Sequence, residues 1–168
     1  DGQVRLSGGL ELLREKRTLI VTGATQAPQP FRIDIAPQVI EDLRDRLRRT
    51  RWPADFANDD WSYGVESGYL RELVAYWADG YDWYAHQDAM NRYAHYRTEV
   101  DGVPIHFLRA SGQGPAPVPL ILTHGWPWTF WDLRKVIGPL TDPEAHGGKA
   151  EESFDVVLIS LPGYGFSS

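Results

Sequence analysis

The sequence predicts an α/β fold in which the opening strands of a sheet follow a mostly helical, aromatic-rich segment. Three observations predict it. Leu120-Ile121-Leu122-Thr123 is a strand-type run bounded by Pro119 and Gly125, the pattern of a strand buried on both faces, as in a parallel sheet. The run breaks into a His124-Gly125-Trp126-Pro127 corner, then a helical pattern, then the apolar residues 154–161. That order of strand, corner, helix and strand implies a right-handed crossover. Upstream, Trp and Tyr crowd a segment whose apolar spacing is helical.

Composition narrows the functional classes. A chain of 168 residues is compatible with one domain, on a prior of about 100 to 200 residues each. Net charge is 17 − 23 = −6, which argues against nucleic acid and anionic membrane surfaces as partners. Arg44, Arg46, Arg48, Arg49 and Arg51 follow Glu41 and Asp42 and read as one solvated helix face. The lack of cysteine excludes a disulfide framework, a Cys-containing zinc site and a thiol nucleophile. No run approaches the roughly 18 apolar residues that span a bilayer, and no signal-peptide pattern is seen. The expectation is a soluble, cytoplasmic protein.

In chain order, residues 1–30 read as an N-terminal extension or linker. Within it, Thr18-Leu19-Ile20-Val21-Thr22-Gly23-Ala24-Thr25 looks like a strand entering a dinucleotide loop, but the second and third glycines are absent and Pro28 and Pro30 follow, favouring a strand or helix remnant plus linker. Residues 31–35 alternate like a short strand. Pro37 then opens a helix carrying Val39, Ile40, Leu43 and Leu47, which should end near Arg51 because Pro53 disfavours helical geometry in Trp52. Residues 59–65 form an aromatic meander. A second helix carries Tyr69, Leu70, Leu73, Val74, Tyr76 and Trp77, and a third spans 83–93. So many rings suggest a segment glued by aromatic packing to the body of the fold. Asp101-Gly102 joins residues 97–100 and 103–108 as a hairpin. Residues 111–119 lead into the Leu120 strand. After the corner, Thr129 and Asp132 can form a capping box, and the helix presents Phe130, Leu133 and Ile137 before stopping at Gly138-Pro139. Residues 142–153 are a polar loop.

The corner carries the chemistry. In α/β folds, ligands meet the carboxyl ends of parallel strands. Gly125 permits a tight turn or positive φ, Pro127 fixes its own φ, and together they can hold the Trp126 amide unpaired and outward, as an oxyanion donor. G-x-S-x-G, H-E-x-x-H and a complete phosphate loop are absent, although Gly148-Lys149 looks like the end of one. The histidines at 86, 95, 106, 124 and 146 lack metal-ligand spacing, so neither metal nor organic cofactor is expected. His86 and His95 read as surface residues, His106 as a core or hydrogen-bonded histidine, and His124 as a loop support through a side-chain hydrogen bond. Tyr164 and Phe166 read as packing residues.

These residues carry a resemblance. His124-Gly125-Trp126-Pro127 and Leu161-Pro162-Gly163-Tyr164-Gly165-Phe166-Ser167-Ser168 resemble the oxyanion corner and following strand-end motif of α/β-hydrolase epoxide hydrolases. Thr50-Arg51-Trp52-Pro53, Asp60-Trp61-Ser62-Tyr63-Gly64 and Gly80-Tyr81-Asp82-Trp83 are similar to the N-terminal segment of the microsomal-type branch, which includes juvenile-hormone epoxide hydrolases. The resemblance runs from about Phe31 to the last residue. It implies an epoxide hydrolase N-terminal segment at 31–95 and the first strands of the hydrolase core at 96–168. It also implies that residues 154–161 lie between the Val103 and Leu120 strands.

The implied reaction hydrates an epoxide to a vicinal diol through an Asp-ester intermediate. The resemblance gives Trp126 the oxyanion amide, with His124, Gly125 and Pro127 as its loop, and Trp126 and Trp128 as substrate-lining rings. The aspartate nucleophile, the His with its carboxylate and the lid tyrosines all lie outside these 168 residues, so the chain alone is expected to be inactive. Its partners are then a small-molecule epoxide and the remaining C-terminal part of the enzyme, or another protomer, covering the free side of Leu120 to Thr123. Trp128 departs from the small residue common in relatives at that position and would narrow the pocket or reposition the helix start. The alternatives are another α/β-hydrolase such as a haloalkane dehalogenase, disfavoured by the Trp-rich segment, or a non-catalytic packing or binding module.

Overall fold

The computed structural model describes residues 4–5, 11–15, 18–21, 27–54 and 56–168. Strands β1 (Val4–Arg5), β2 (Glu11–Glu15) and β3 (Thr18–Val21) make a three-stranded antiparallel sheet in that order. Thr18 to Val21 is thus strand, and the glycine-bearing remainder of the dinucleotide-like stretch lies outside the described residues. The chain divides into two compact units, residues 1–32 with 91–168, and residues 33–90.

The second sheet contains β4 (Gln29–Phe31), β5 (Ala94–Val100), β6 (Val103–Ala110), β7 (Val118–Thr123) and β8 (Phe154–Ile159), ordered β4-β5-β6-β8-β7. All neighbours are antiparallel except β8 and β7, which run parallel, and β8 lies between β6 and β7 as the resemblance implied. Asp101 (φ 50°) and Gly102 (φ 78°) join β5 to β6 with both central residues left-handed, the turn whose twist matches paired strands. β5 begins at Ala94 rather than Arg97, because its ladder with β6 continues to the Ala94 and Arg109 pair.

Burial is distributed differently from the sequence expectation. Residues 120–122 of β7 are half-buried and Thr123 is exposed, because β7 is an edge paired only with β8. The strands with consecutive buried residues are the interior ones: His106, Phe107 and Leu108 on β6, and Val156, Val157 and Leu158 on β8. A 3₁₀ turn (Phe130–Leu133) and α-helix Arg134–Thr141 pack against β8, burying Phe130 and Ile137. Pro139 lies inside this helix instead of ending it. Its ring is exposed, so the carbonyl it leaves unpaired can bond water, while Ile137 and Thr141 hold the buried face.

The unit of residues 33–90 holds α1 (Pro37–Arg48), α2 (Ser67–Asp79) and α3 (Trp83–Met90), so the helix just described is α4. Pro37 is at the helix start as expected. The inner stripe of α1 is Ile40, Leu43, Arg44 and Leu47, at spacings of three, four and seven, which leaves Val39 outward and 54% exposed. α2 starts on Glu66, whose carboxylate accepts the Gly68 and Tyr69 amides at 2.6 and 2.7 Å. Residues 31–35 are not a strand: pairing stops at Phe31, and the Ile35 amide donates to Gln87 Oε1 at 2.8 Å. α3 ends at Met90, before Tyr93, because the chain is committed to β5 from Ala94.

Candidate functional site at the ends of two parallel strands

The carboxyl ends of β7 and β8 lie side by side, with Thr123 opposite Ile159 as the last pair. Beyond β7 the chain turns over residues 125–128, closed by the Trp128 amide donating to Gly125 O at 2.9 Å, with Trp126-Pro127 cis. This is the geometry of a turn with proline at its third position. Of the two conformations open to Gly125, the tight turn is adopted without positive φ, and a Cβ there would meet only Trp128 Cδ1, at 3.7 Å.

His124 anchors the turn. Its ring is buried, Nε2 accepts the Leu161 amide at 3.1 Å, and Nδ1 lies 2.9 Å from Gly125 O. A nitrogen that accepts from an amide carries no proton, so the proton sits on Nδ1 and is donated to the Gly125 carbonyl. Tyr164 meets the ring edge-on, with centroids 5.2 Å apart. Next to the Gly125 carbonyl, the Trp126 N–H has no acceptor among the described residues.

An open cleft of ≈370 Å³ adjoins the turn, lined by Thr123, His124, Gly125, Trp128, Asp132 and Leu133. Trp128, predicted to line substrate, is therefore at its wall. The Trp126 ring is not; it is 79% exposed. Asp132 and Leu133 were legible only as helix-start residues, and Asp132 serves that end here: its Oδ2 accepts the Thr129 amide at 2.8 Å while Thr129 Oγ1 accepts from Trp131. Among the described residues, no group of three or more His, Cys, Asp or Glu could hold a metal ion.

Behind the corner lies a polar array. His95 does not face solvent as the sequence suggested; it is 4% exposed on β5, with Nδ1 3.0 Å from Nε2 of His106. In the register set by the Asp101-Gly102 turn, Arg97 is opposite His106, so His95 is its diagonal neighbour on the same face. That spacing was the available signal. His106 Nδ1 lies 2.9 Å from Ser160 Oγ, its amide donates to Ser167 Oγ at 2.8 Å, and Ser167 Oγ donates to Ser160 O at 2.7 Å. Burial, with the nearby His95 and Arg97 charges, pushes the His106 imidazole down to about 3, so it is neutral near pH 7. Arg97 grips Phe166 O through Nε and Nη2 at 2.9 and 2.6 Å. Phe166 itself packs against Phe31, His106 and Phe130, as a packing residue should.

Within residues 33–90 a second cavity, ≈440 Å³, is lined by apolar and aromatic residues of α1 and α2, by Arg44, and by Tyr81 and Trp83. Tyr76 and Trp77 on its wall are 58% and 46% exposed. No described helix is long and apolar enough to cross a membrane.

Comparison with known proteins gives a consistent picture. The sequence pattern of the family described as "Epoxide hydrolase N terminus" matches residues 28–133. A protein of Stigmatella aurantiaca (strain DW4/3-1), provisionally named as an epoxide hydrolase, is 48% identical over 138 residues, which is 82% of this chain and 31% of that protein. Epoxide hydrolase 1 of Oryctolagus cuniculus is 37% identical over 143 residues, 83% of this chain and 31% of its own length. The solved epoxide hydrolase of Aspergillus niger superposes with a TM-score of 0.72 at 26% identity, over 87% of this chain and 38% of that one. The chain thus spans about a third of the length of the curated relatives it matches.

Proposed function

Because this chain belongs to the epoxide hydrolase family whose N-terminal region it matches, we propose that it supplies the oxyanion corner of an epoxide hydrolase that hydrates a small-molecule epoxide to a vicinal diol. The supporting observation is the Trp126 N–H, without an acceptor among the described residues, in a turn closed by one hydrogen bond and anchored by His124 at the carboxyl end of a parallel strand. A carboxylate nucleophile opens the ring to an alkyl ester, and water activated by a histidine hydrolyses that ester through a tetrahedral intermediate. The Trp126 amide donates to the oxygen on which charge develops.

The nucleophile, its histidine and the groups that hold the epoxide oxygen come from polypeptide outside these 168 residues, in the same enzyme or another protomer. His124, Gly125 and Pro127 form the supporting loop, and the Trp126 and Trp128 rings touch substrate once that polypeptide is in place. No metal or organic cofactor takes part. The functional division is 1–30 as an extension, 31–95 as the family's N-terminal segment and 96–168 as the start of the catalytic core. A cytoplasmic location, where a cysteine-free chain needs no disulfides, belongs to the same proposal.

The test uses the full-length polypeptide with styrene oxide. Diol is expected, and in a single turnover in ¹⁸O-water the first diol should carry oxygen from the enzyme carboxylate rather than from solvent. Replacing the Trp126 amide with an ester, by incorporating the α-hydroxy acid, should lower turnover by about 10²- to 10³-fold. Trp126→Ala, which keeps the amide, should alter mainly KM. Unchanged turnover in the ester variant would remove the oxyanion assignment.

A further inference from the structure

The array behind the corner is larger than a packed core requires. His106 is fully buried, and each of its polar groups is engaged. Its amide and Nδ1 reach Ser167 Oγ and Ser160 Oγ, its carbonyl accepts the Ser160 amide at 3.0 Å, and Nε2 meets His95. Ser160 and Ser167 bracket the strand-end segment 161–166. Inside the segment, the Tyr164 amide donates to Leu161 O at 2.9 Å, and the Gly163 amide donates to Ser167 O at 2.9 Å. Leu161, the residue after Ser160, gives its amide to His124. A continuous run of hydrogen bonds and one peptide link therefore joins His106 to the His124 ring, and the proton on that ring is held by the carbonyl beside the Trp126 amide.

We propose that His106 is a positioning residue for the oxyanion corner, setting the height of Leu161 through Ser160 and Ser167 and thereby the orientation of His124. This deepens the proposed function and rests on that reading for its catalytic consequence. The physical case is one of constraint. A buried imidazole with both nitrogens engaged has one ring orientation, since any rotation strands two buried polar groups. Its aromatic neighbours hold the same pose: Phe31, Phe130 and Phe166 stand at 5.0 to 5.3 Å between centroids. Only one proton fits between His95 Nδ1 and His106 Nε2, so the contact persists only while at least one of those nitrogens is bare. Arg97 holds the far end of the segment through Phe166 O, leaving Ser160 and Leu161 to follow His106.

The experiment compares full-length wild type, His106→Phe and His106→Asn, each with ¹⁵N-labelled histidine. Phe keeps the aromatic contacts and removes the hydrogen bonds; Asn restores a partner for Ser160. Three readouts are taken: thermal midpoint, the ¹⁵N shifts of the His124 ring, and kcat and KM for diol formation from styrene oxide. In His106→Phe the His124 signals should move away from the Nδ1–H pattern. In the same variant kcat should fall by about 10- to 100-fold with KM nearly unchanged, the scale on which a misplacement of roughly 1 Å acts. His106→Asn should recover part of both. A folded His106→Phe with unmoved His124 signals and wild-type kcat, or one that loses thermal stability alone, overturns the proposal. Should His106→Phe fail to fold, Ser160→Ala removes one hydroxyl and is read in the same way. If wild type forms no diol, the oxyanion reading has failed, and the His124 shifts still decide whether His106 positions the corner.

Discussion

The Leu161 amide donates to Nε2 of His124 over 3.1 Å, so β7 and β8 share a hydrogen bond past their last backbone pair, Thr123 with Ile159. Through its other nitrogen, His124 also holds Gly125 O at 2.9 Å, and one ring thereby serves two chain segments 37 residues apart. His124→Leu would leave the half-buried Leu161 amide without its acceptor, while Gly125 O keeps the Trp128 amide. The expected loss is about 1 kcal/mol of unfolding free energy, the low end of the cost of an orphaned donor. Urea denaturation of the full-length protein checks it, and a change below about 0.5 kcal/mol would mean that water replaces the ring.

Gly114 sits where no other residue fits. A Cβ there would collide with the Ala150 carbonyl oxygen and Ser153 Oγ, and its own amide donates to Ser153 Oγ at 3.1 Å. Neighbouring bonds, Gln113 N to Thr141 O and Val118 N to Ser153 O, leave the loop little room to retreat. Gly114→Ala should destabilise by about 1 to 3 kcal/mol, as overpacking does. A wild-type melting curve for this variant would contradict the close approach.

Thr129 caps the turn that carries Phe130 into the core, and its own amide donates to the Asp132 carboxylate. Thr129→Ala should cost about 1 kcal/mol, with Thr129→Ser close to wild type. Equal losses in both variants would place the effect in the methyl group instead of the hydroxyl.

The His106 imidazole also predicts a pH dependence with a definite sign. Its folded value lies near 3 because of burial and then the His95 and Arg97 charges, against an ordinary 6.5. Between these values the unfolded chain binds a proton that the folded chain refuses, so stability falls as pH falls through that window and is unaffected by this group above it. The slope is at most about 1.4 kcal/mol per pH unit. Unfolding free energies of wild type and His106→Phe, measured above and within the window, should diverge as acid is added. Parallel curves would show that His106 takes up its proton without unfolding.

Much of this was legible from local sequence because the physics involved is local. The Asp101-Gly102 turn needs two left-handed residues, the Thr129 and Asp132 cap needs an oxygen at each end of one turn, and a strand that breaks into His-Gly-Trp-Pro must turn at once. The sequence therefore determined the α/β class, the hairpin, the capped turn and the place of the corner. It also carried the family resemblance. Tertiary structure decided what depends on pairing. Strand order made β6 and β8 the doubly buried strands and left β7 at an edge, although the Leu120 to Thr123 run reads as a strand buried on both faces. The hairpin register brought His95 beside His106 once β5 and β6 paired, and the fold returned Phe166 to Arg97 across 69 residues, a contact that no short-range spacing encodes. The reason is physical: side chains within a turn are placed by backbone geometry alone, whereas those on neighbouring strands are placed by which strands pair and in what register.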